Sequence, residues 1–216
     1  MVYLEVKNLT IQRKKQFILD NVAVSGELGE AIGFVGQNGS GKSMLFKAIC
    51  GFVTISEGSI KVGENYVGKD IDFPSKTGML IENPGFISSM SGYKNLYSLS
   101  LLTEEVSEEE IINLLKLVGL YEKKDMRVGK YSLGMKQRLG IAQALMGNPD
   151  LVILDEPFNG LDNQGIELLI QIIQKLKSEN KLVLLTSHRN EDLERVCDKY
   201  YQVNLGVFTP IEGDKL

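Results

Sequence analysis

"AIGFVGQNGSGKS", residues 31–43, is the stretch on which the fold of this chain turns. Its first half, residues 31–35, is a short unbroken apolar run, the pattern of a strand covered on both faces. Its second half, Gly36-Gln37-Asn38-Gly39-Ser40-Gly41-Lys42-Ser43, matches the phosphate-loop pattern and runs into a helical stretch at 44–50. The composition follows from the chemistry. Backbone N–H groups converge on phosphate oxygens only where no side chain crowds them or where φ turns positive, and both conditions select glycine. The following helix aims its positive end at the same phosphates. Lys42 is then placed to reach the β- and γ-phosphates, and the Ser43 hydroxyl to coordinate Mg2+. With a strand before it and a helix after it, the loop reads as a nucleoside triphosphate site rather than an incidental glycine turn.

A second buried strand supplies what that loop lacks. "LVILDEP", residues 151–157, carries two acids at its end, and α/β sheets bind ligands at the carboxyl ends of their strands. Asp155 is the second acidic anchor for Mg2+, and Glu156 is the group that can take a proton from an attacking water. The one histidine, His188, closes the next apolar strand at 181–186, in the register of Asp155, which points it toward the γ-phosphate.

Around these strands the organisation is readable. Residues 2–9 alternate as a half-buried strand, and 17–19 and 22–24 follow as short strands before a turn at 26–29. Apolar residues take helical spacing between 92 and 119, with Ser107 as an N-cap ahead of three glutamates. Residues 134–146 and 166–177 are helical again, and the tail at 199–209 reads as a hairpin about Asn204-Leu205-Gly206.

A chain of 216 residues holds one sizeable α/β domain. The net charge of −4 argues against nucleic acid as a partner, which calls for a basic surface. Cys50 and Cys197 fit no metal-ligand spacing and read as two buried reduced thiols in a reducing compartment. No apolar run reaches the roughly 18–20 residues that span a bilayer, and no charged-then-apolar leader opens the chain. The expectation is a soluble chain with peripheral membrane attachment left open.

"YSLGMKQRLGIAQAL", residues 131–145, resembles the signature segment of ABC-transporter ATPases, usually written LSGGQ and followed by a Gln-Arg helix. With the phosphate loop, "LDEP", "NGLD" at 159–162 and "TSH" at 186–188, the order of motifs is similar to that family over the whole chain. The resemblance implies an α/β fold: a P-loop NTPase core with an antiparallel β subdomain and a helical signature subdomain. Residues 1–216 then form a single ABC ATPase domain, with about 84–150 as the helical insert.

It further implies ATP and Mg2+ as ligands and a head-to-tail pair of ATPase subunits, homodimer or heterodimer. Each site joins one chain's phosphate loop to the other's signature, here Ser132, Gly134 and Met135, and Asp162 lies in the loop crossing to the partner. It also implies a separate membrane-spanning permease subunit and a place on the inner face of the cell membrane. The stretch 79–96 together with 131–139 is similar to the bacitracin-resistance and lantibiotic-immunity branch, whose members export peptide antibiotics.

Three places depart from the family pattern. Tyr131, Leu133 and Met135 replace the usual Leu, first Gly and Gln of the signature. Glu82 stands for the usual coupling-loop Gln, where it can touch Mg2+ or water. Arg13 aligns with the aromatic residue that normally stacks on adenine, and either its guanidinium plane or Phe17 does the stacking. The segment 82–93, with Phe86, Ile87, Met90 and Tyr93, is the expected permease-docking region.

An ABC-type ATPase of a non-transport assembly is the alternative reading. Long coiled-coil insertions would mark a DNA clamp and a tandem second cassette a translation factor, and the chain has neither. A nucleotide sensor without turnover would not need Glu156 and His188.

Overall fold

The computed structural model describes residues 2–82, 84–102, 106–187 and 190–211. It builds two sheets with one helix wedged between them and the other helices on the far side. The first sheet is antiparallel, in the order β2 (Gln16–Glu27), β1 (Val2–Arg13), β4 (Glu57–Val62), β5 (Asn65–Tyr66). The second has six strands in the order β10 (Val207–Pro210), β9 (Lys199–Asn204), β3 (Ala31–Val35), β8 (Leu182–Ser187), β7 (Leu151–Leu154), β6 (Thr77–Leu80). All its pairings are parallel except the edge hairpin β9–β10, which is antiparallel.

The apolar strands alternate between two cores. Ile32, Phe34, Leu151, Ile153, Leu182 and Leu184 face the antiparallel sheet and helix α1 (Lys42–Ile49). Ala31, Val152, Leu154, Val183 and Leu185 face the other helices. Both faces of the pleat are therefore apolar, and the period-2 signal of a one-sided strand vanishes into continuous runs. Helix α1 buries Leu45, Phe46, Ala48 and Ile49 between the sheets, so the loop at its start is anchored from below.

Between 84 and 150 lie α2 (Gly92–Ser100), α3 (Glu108–Leu117) and α4 (Leu133–Ala144), with short 3-10 turns at Tyr121–Lys123 and Val128–Lys130. Ser107 caps α3, its hydroxyl accepting from the Glu110 N–H at 3.2 Å. These helices have no core of their own. Leu96, Ile111, Leu115 and Leu139 belong to the same cluster as Val152 and Leu185 of the sheet. Beyond them α5 (Asn163–Ser178) packs its apolar stripe, including Leu169 and Ile173, into that cluster, and the short α6 (Asn190–Glu194) follows β8.

Several expectations are corrected. Residues 17–19 and 22–24 belong to one twelve-residue strand, β2, and β1 runs on to Arg13. Register shifts in their pairing break the alternation that separates strands in the sequence. The turn expected at 26–29 is confined to 28–29. Helix α4 starts at Leu133 and α1 at Lys42, earlier than the apolar periodicity indicates, because caps and not side-chain spacing set helix starts. Cys50 is buried and its thiol pushed up to about 12 by that burial. Cys197 is only half-buried as a residue, though burial likewise pushes its thiol up.

Gly78 in β6 decides how closely α4 approaches the sheet. A Cβ there would run into the Ala144 carbonyl at the end of α4, with Pro149 close behind. Gly78→Ala is expected to lower unfolding stability by about 2 kcal/mol, the range for overpacking against backbone. Urea denaturation measures it.

Candidate functional site

The site forms where β3, β7 and β8 end. The loop 36–41 leaves β3 and enters α1 through Gly41 at φ 116, with Gly39 at φ 78, conformations that exclude most side chains. A Cβ on Gly36 would collide with the Val203 carbonyl of β9. Lys42 is 6% exposed and bends back over the loop, its Nζ donating to the Gly36 carbonyl at 2.6 Å and the Gln37 carbonyl at 3.0 Å. Burial draws the Lys42 pKa down, while the carboxylates of Glu156 and Asp155 pull the other way. An arriving triphosphate would supply the counter-charge that this ammonium lacks within the loop.

Asp155 follows β7 and is 8% exposed. Its Oδ2 accepts from the Ser43 hydroxyl at 2.6 Å and its Oδ1 from the Thr186 hydroxyl at 2.8 Å. Thr186 stands on β8, the strand between β3 and β7, and the Thr186 oxygen also accepts from the Glu156 N–H at 2.7 Å. Ser43 and Asp155 thus converge as hard oxygen donors, a pair that fits Mg2+, which takes few protein ligands and completes its shell with phosphate and water.

Glu156 sits at φ 50, a left-handed conformation unusual for a glutamate, with its Oε1 buried. Its carbonyl accepts from the Asn159 N–H at 3.2 Å and from Gln137 Nε2 of α4 at 3.1 Å. Ser132 is the N-cap of α4, its hydroxyl accepting from the Met135 N–H at 3.2 Å. Met135 itself packs partly into the helix-side core. Asp162 caps α5, its Oδ1 accepting from the Gly165 N–H at 2.8 Å.

The remaining candidates sit further out. Glu82, at φ 59, pairs with Lys47 on the last turn of α1, whereas Ser43 and Asp155 pair with each other. Arg13 and Phe17 are both exposed near the β1–β2 turn. The register couples Arg13 with Gln16 and Gln12 with Phe17, so the two side chains fall on opposite faces. A register shift between Ile11 and Gln12 separates this pair of positions from Ile11 and its partner Leu19, which borders Gly41. His188 lies outside the described residues. Sequence reading missed Gln137 and the double use of Thr186. Thr186 could have been found from its place at a strand end level with Asp155; no sequence signal connects Gln137 to Glu156.

A glycine loop between a buried parallel strand and a helix, facing a hydroxyl-bound aspartate two strands away, defines a P-loop nucleoside triphosphatase. The sequence profile described as ABC transporter matches residues 19–159. The ABC transporter ATP-binding protein YybJ of Bacillus subtilis is 39% identical over 94% of this chain and 93% of its own length. The lantibiotic transport ATP-binding protein SrtF of Streptococcus pyogenes is 39% identical over 90% of this chain and 84% of its own. The bacitracin transport ATP-binding protein BcrA of Enterococcus faecalis is 38% identical over 90% of this chain, which spans 64% of that protein. A solved structure of the ATP-binding subunit of an ABC transporter superposes with a TM-score of 0.85 at 28% identity, over 95% of this chain and 88% of that one. The chain belongs to the ABC transporter family and is an ATP-binding ATPase of it, similar to the bacitracin and lantibiotic branch. Among the described residues no helix is long and apolar enough to cross a membrane.

Replacing Lys42 by Ala removes both loop-bracing hydrogen bonds and the cation that makes them. Lys42→Ala is expected to weaken ATP binding at least about 100-fold, some 2.8 kcal/mol, by isothermal titration calorimetry.

Proposed function

We propose that this chain is the motor of a peptide-antibiotic exporter, hydrolysing ATP in a head-to-tail pair and driving a separate membrane-spanning permease. The observation that carries the catalytic part is the direct hydrogen bond from Ser43 to Asp155, which brings the phosphate-loop hydroxyl and the strand-end carboxylate to one point. The names of SrtF and BcrA motivate the cargo class.

In this reading residues 36–41 wrap the phosphates with backbone N–H groups, and Lys42 neutralises their charge. Ser43 and Asp155 hold Mg2+, which when bound supplies electrostatic stabilisation of the charge that develops on the transferred phosphoryl group. Glu156 accepts the proton of the attacking water, and His188 is assigned to the γ-phosphate from its sequence position. Thr186 orients Asp155 and Glu156 together.

The cap of α4 at Ser132, with Gly134 and Met135, meets the nucleotide held by the second subunit, as helix N-termini meet anions. Asp162 leads the crossing loop toward that subunit. The whole chain acts as one ATPase domain, with about 84–150 as its helical lobe. ATP favours the closed pair and hydrolysis releases it.

Glu82 is assigned first to Lys47, at the junction of the coupling loop and the phosphate-loop helix, and only secondarily to Mg2+. The permease docks along 82–93. Phe86 and Tyr93 pack against the chain's own core, so the exposed Ile87, half open to solvent, is the better anchor there.

Glu156→Gln keeps the shape and loses the proton acceptor. It is expected to bind ATP, cut turnover at least about 100-fold, and trap a dimer with Mg-ATP on size exclusion with light scattering. Native turnover would remove Glu156 from its role.

Arg13 is the base-stacking residue in this reading, since it stands at the position that the family pattern gives to the stacking side chain, with Phe17 on the opposite face as the alternative. Stacking by a guanidinium reads the π-face and not the base edges. Competition binding should therefore find ATP and GTP within roughly tenfold, about 1.4 kcal/mol. Arg13→Ala should weaken both, and Phe17→Ala neither.

A further inference from the structure

Helix α4 touches the segment 156–162 of its own chain at two points. Near its start, Leu133 and Gly134 lie on Gly160: a Cβ on Gly134 would come within 2.6 Å of the Gly160 carbonyl oxygen, and one on Gly160 within 2.6 Å of the Leu133 side chain. Five residues beyond the Ser132 cap, Gln137 donates its Nε2–H to the Glu156 carbonyl at 3.1 Å. Five residues are about 7–8 Å of rigid helix. The cap proposed to face one nucleotide and the amide that grips Glu156 thus sit on the same rigid first half of α4.

The Glu156 backbone needs such a grip. A non-glycine residue at φ 50 pays a steric cost and persists only when its surroundings over-determine it. Its N–H is held by Thr186 of the sheet, and its carbonyl by Asn159 within the turn and by Gln137. Of these three, only Gln137 belongs to the helical lobe. The direction of the Glu156 side chain follows its own φ and ψ, so a shift of α4 acts on the carboxylate through this carbonyl.

We infer that Gln137 is a positioning residue that fixes the Glu156 turn to the signature helix, so that a chain's signature segment and its own catalytic carboxylate move as one body. The inference rests on the proposed roles of Glu156 and of the signature segment. Its consequence is a link between the two composite sites. The signature segment of one chain meets the nucleotide on its partner's phosphate loop, and Gln137 conveys its position to the carboxylate serving the chain's own nucleotide. ATP in one site thereby sets the general base of the other.

The test uses the full chain. Gln137→Leu and Gln137→Met remove the donor and retain a side chain of similar bulk. Both are expected to lower kcat about tenfold, about 1.4 kcal/mol. The KM for ATP should stay within about twofold, the melting temperature near that of the parent, and the Hill coefficient of the ATP dependence should fall toward one. In single turnover, adding Gln137→Leu to Glu156→Gln should change the residual rate less than about twofold, because the group being positioned is already gone.

Native kcat in both Gln137 variants overturns the inference. So does a loss that multiplies with that of Glu156→Gln, or a loss of kcat accompanied in both variants by a collapse of the melting temperature. Glu156→Gln hydrolysing at the native rate is a separate outcome: it sinks the general-base reading and takes this inference with it.

Discussion

Asp155 is a carboxylate with 8% exposure at the end of a strand buried on both faces, and that burial is offset by hydroxyls on both of its oxygens and by the field of the Lys42 ammonium. Ser43 comes from the phosphate loop and Thr186 from the intervening strand. Two strand ends and one helix start are therefore tied to a single charge. A shift of any of these elements by an ångström would leave a buried carboxylate under-solvated, a cost larger than most single contacts return. The wedge of α1 between two apolar faces makes that alignment rigid, since Leu45, Phe46 and Ile49 are wholly buried beneath the loop that α1 presents.

Of the positions that depart from the family pattern, Glu82, Arg13 and Leu133 are exposed. Glu82 is 64% exposed and pairs with Lys47, itself 32% exposed, so the pair is screened and contributes at most about 1 kcal/mol. It disposes of the extra negative charge near a triphosphate without burying it. Tyr131 behaves differently. It is buried, its hydroxyl donates to the Lys123 carbonyl at 2.8 Å, and it lies against Gly92 at the start of α2. Burial, with Asp125 nearby, pushes its phenol pKa up and keeps it a neutral donor. The larger side chain thus pins the approach to the signature to the front of the helical lobe.

That lobe is continuous with the rest in more than its core. Backbone hydrogen bonds run from Val128 to Met90, from Gly129 to Ser88 and from Tyr93 to Lys124, so the strip preceding the signature is laced to the segment proposed to meet the permease. These bonds join 86–93 to the strip just ahead of Ser132, and α4 carries Gln137, which bonds the Glu156 carbonyl. The path is one of direct contacts rather than of sequence neighbours.

The sequence by itself determined the phosphate loop, the two acidic residues after a buried strand, the parallel character of the strands around them and the Ser107 cap. Each is a local pattern whose chemistry needs those residue types within a few positions. It also carried the family, through the order of five short motifs. What only the tertiary structure decided is who holds whom: Thr186 bridging Asp155 and Glu156, Gln137 on the Glu156 carbonyl, Arg13 and Phe17 on opposite faces, Glu82 on Lys47. The strands β4 to β6 escaped for a related reason. β4 buries only Ile60 and Val62, and β6 is four residues long, so neither carries enough periodicity to be seen. Hydrogen bonds between residues 19 or 35 positions apart leave no trace in local spacing, because their geometry is set by the crossing of separately formed elements.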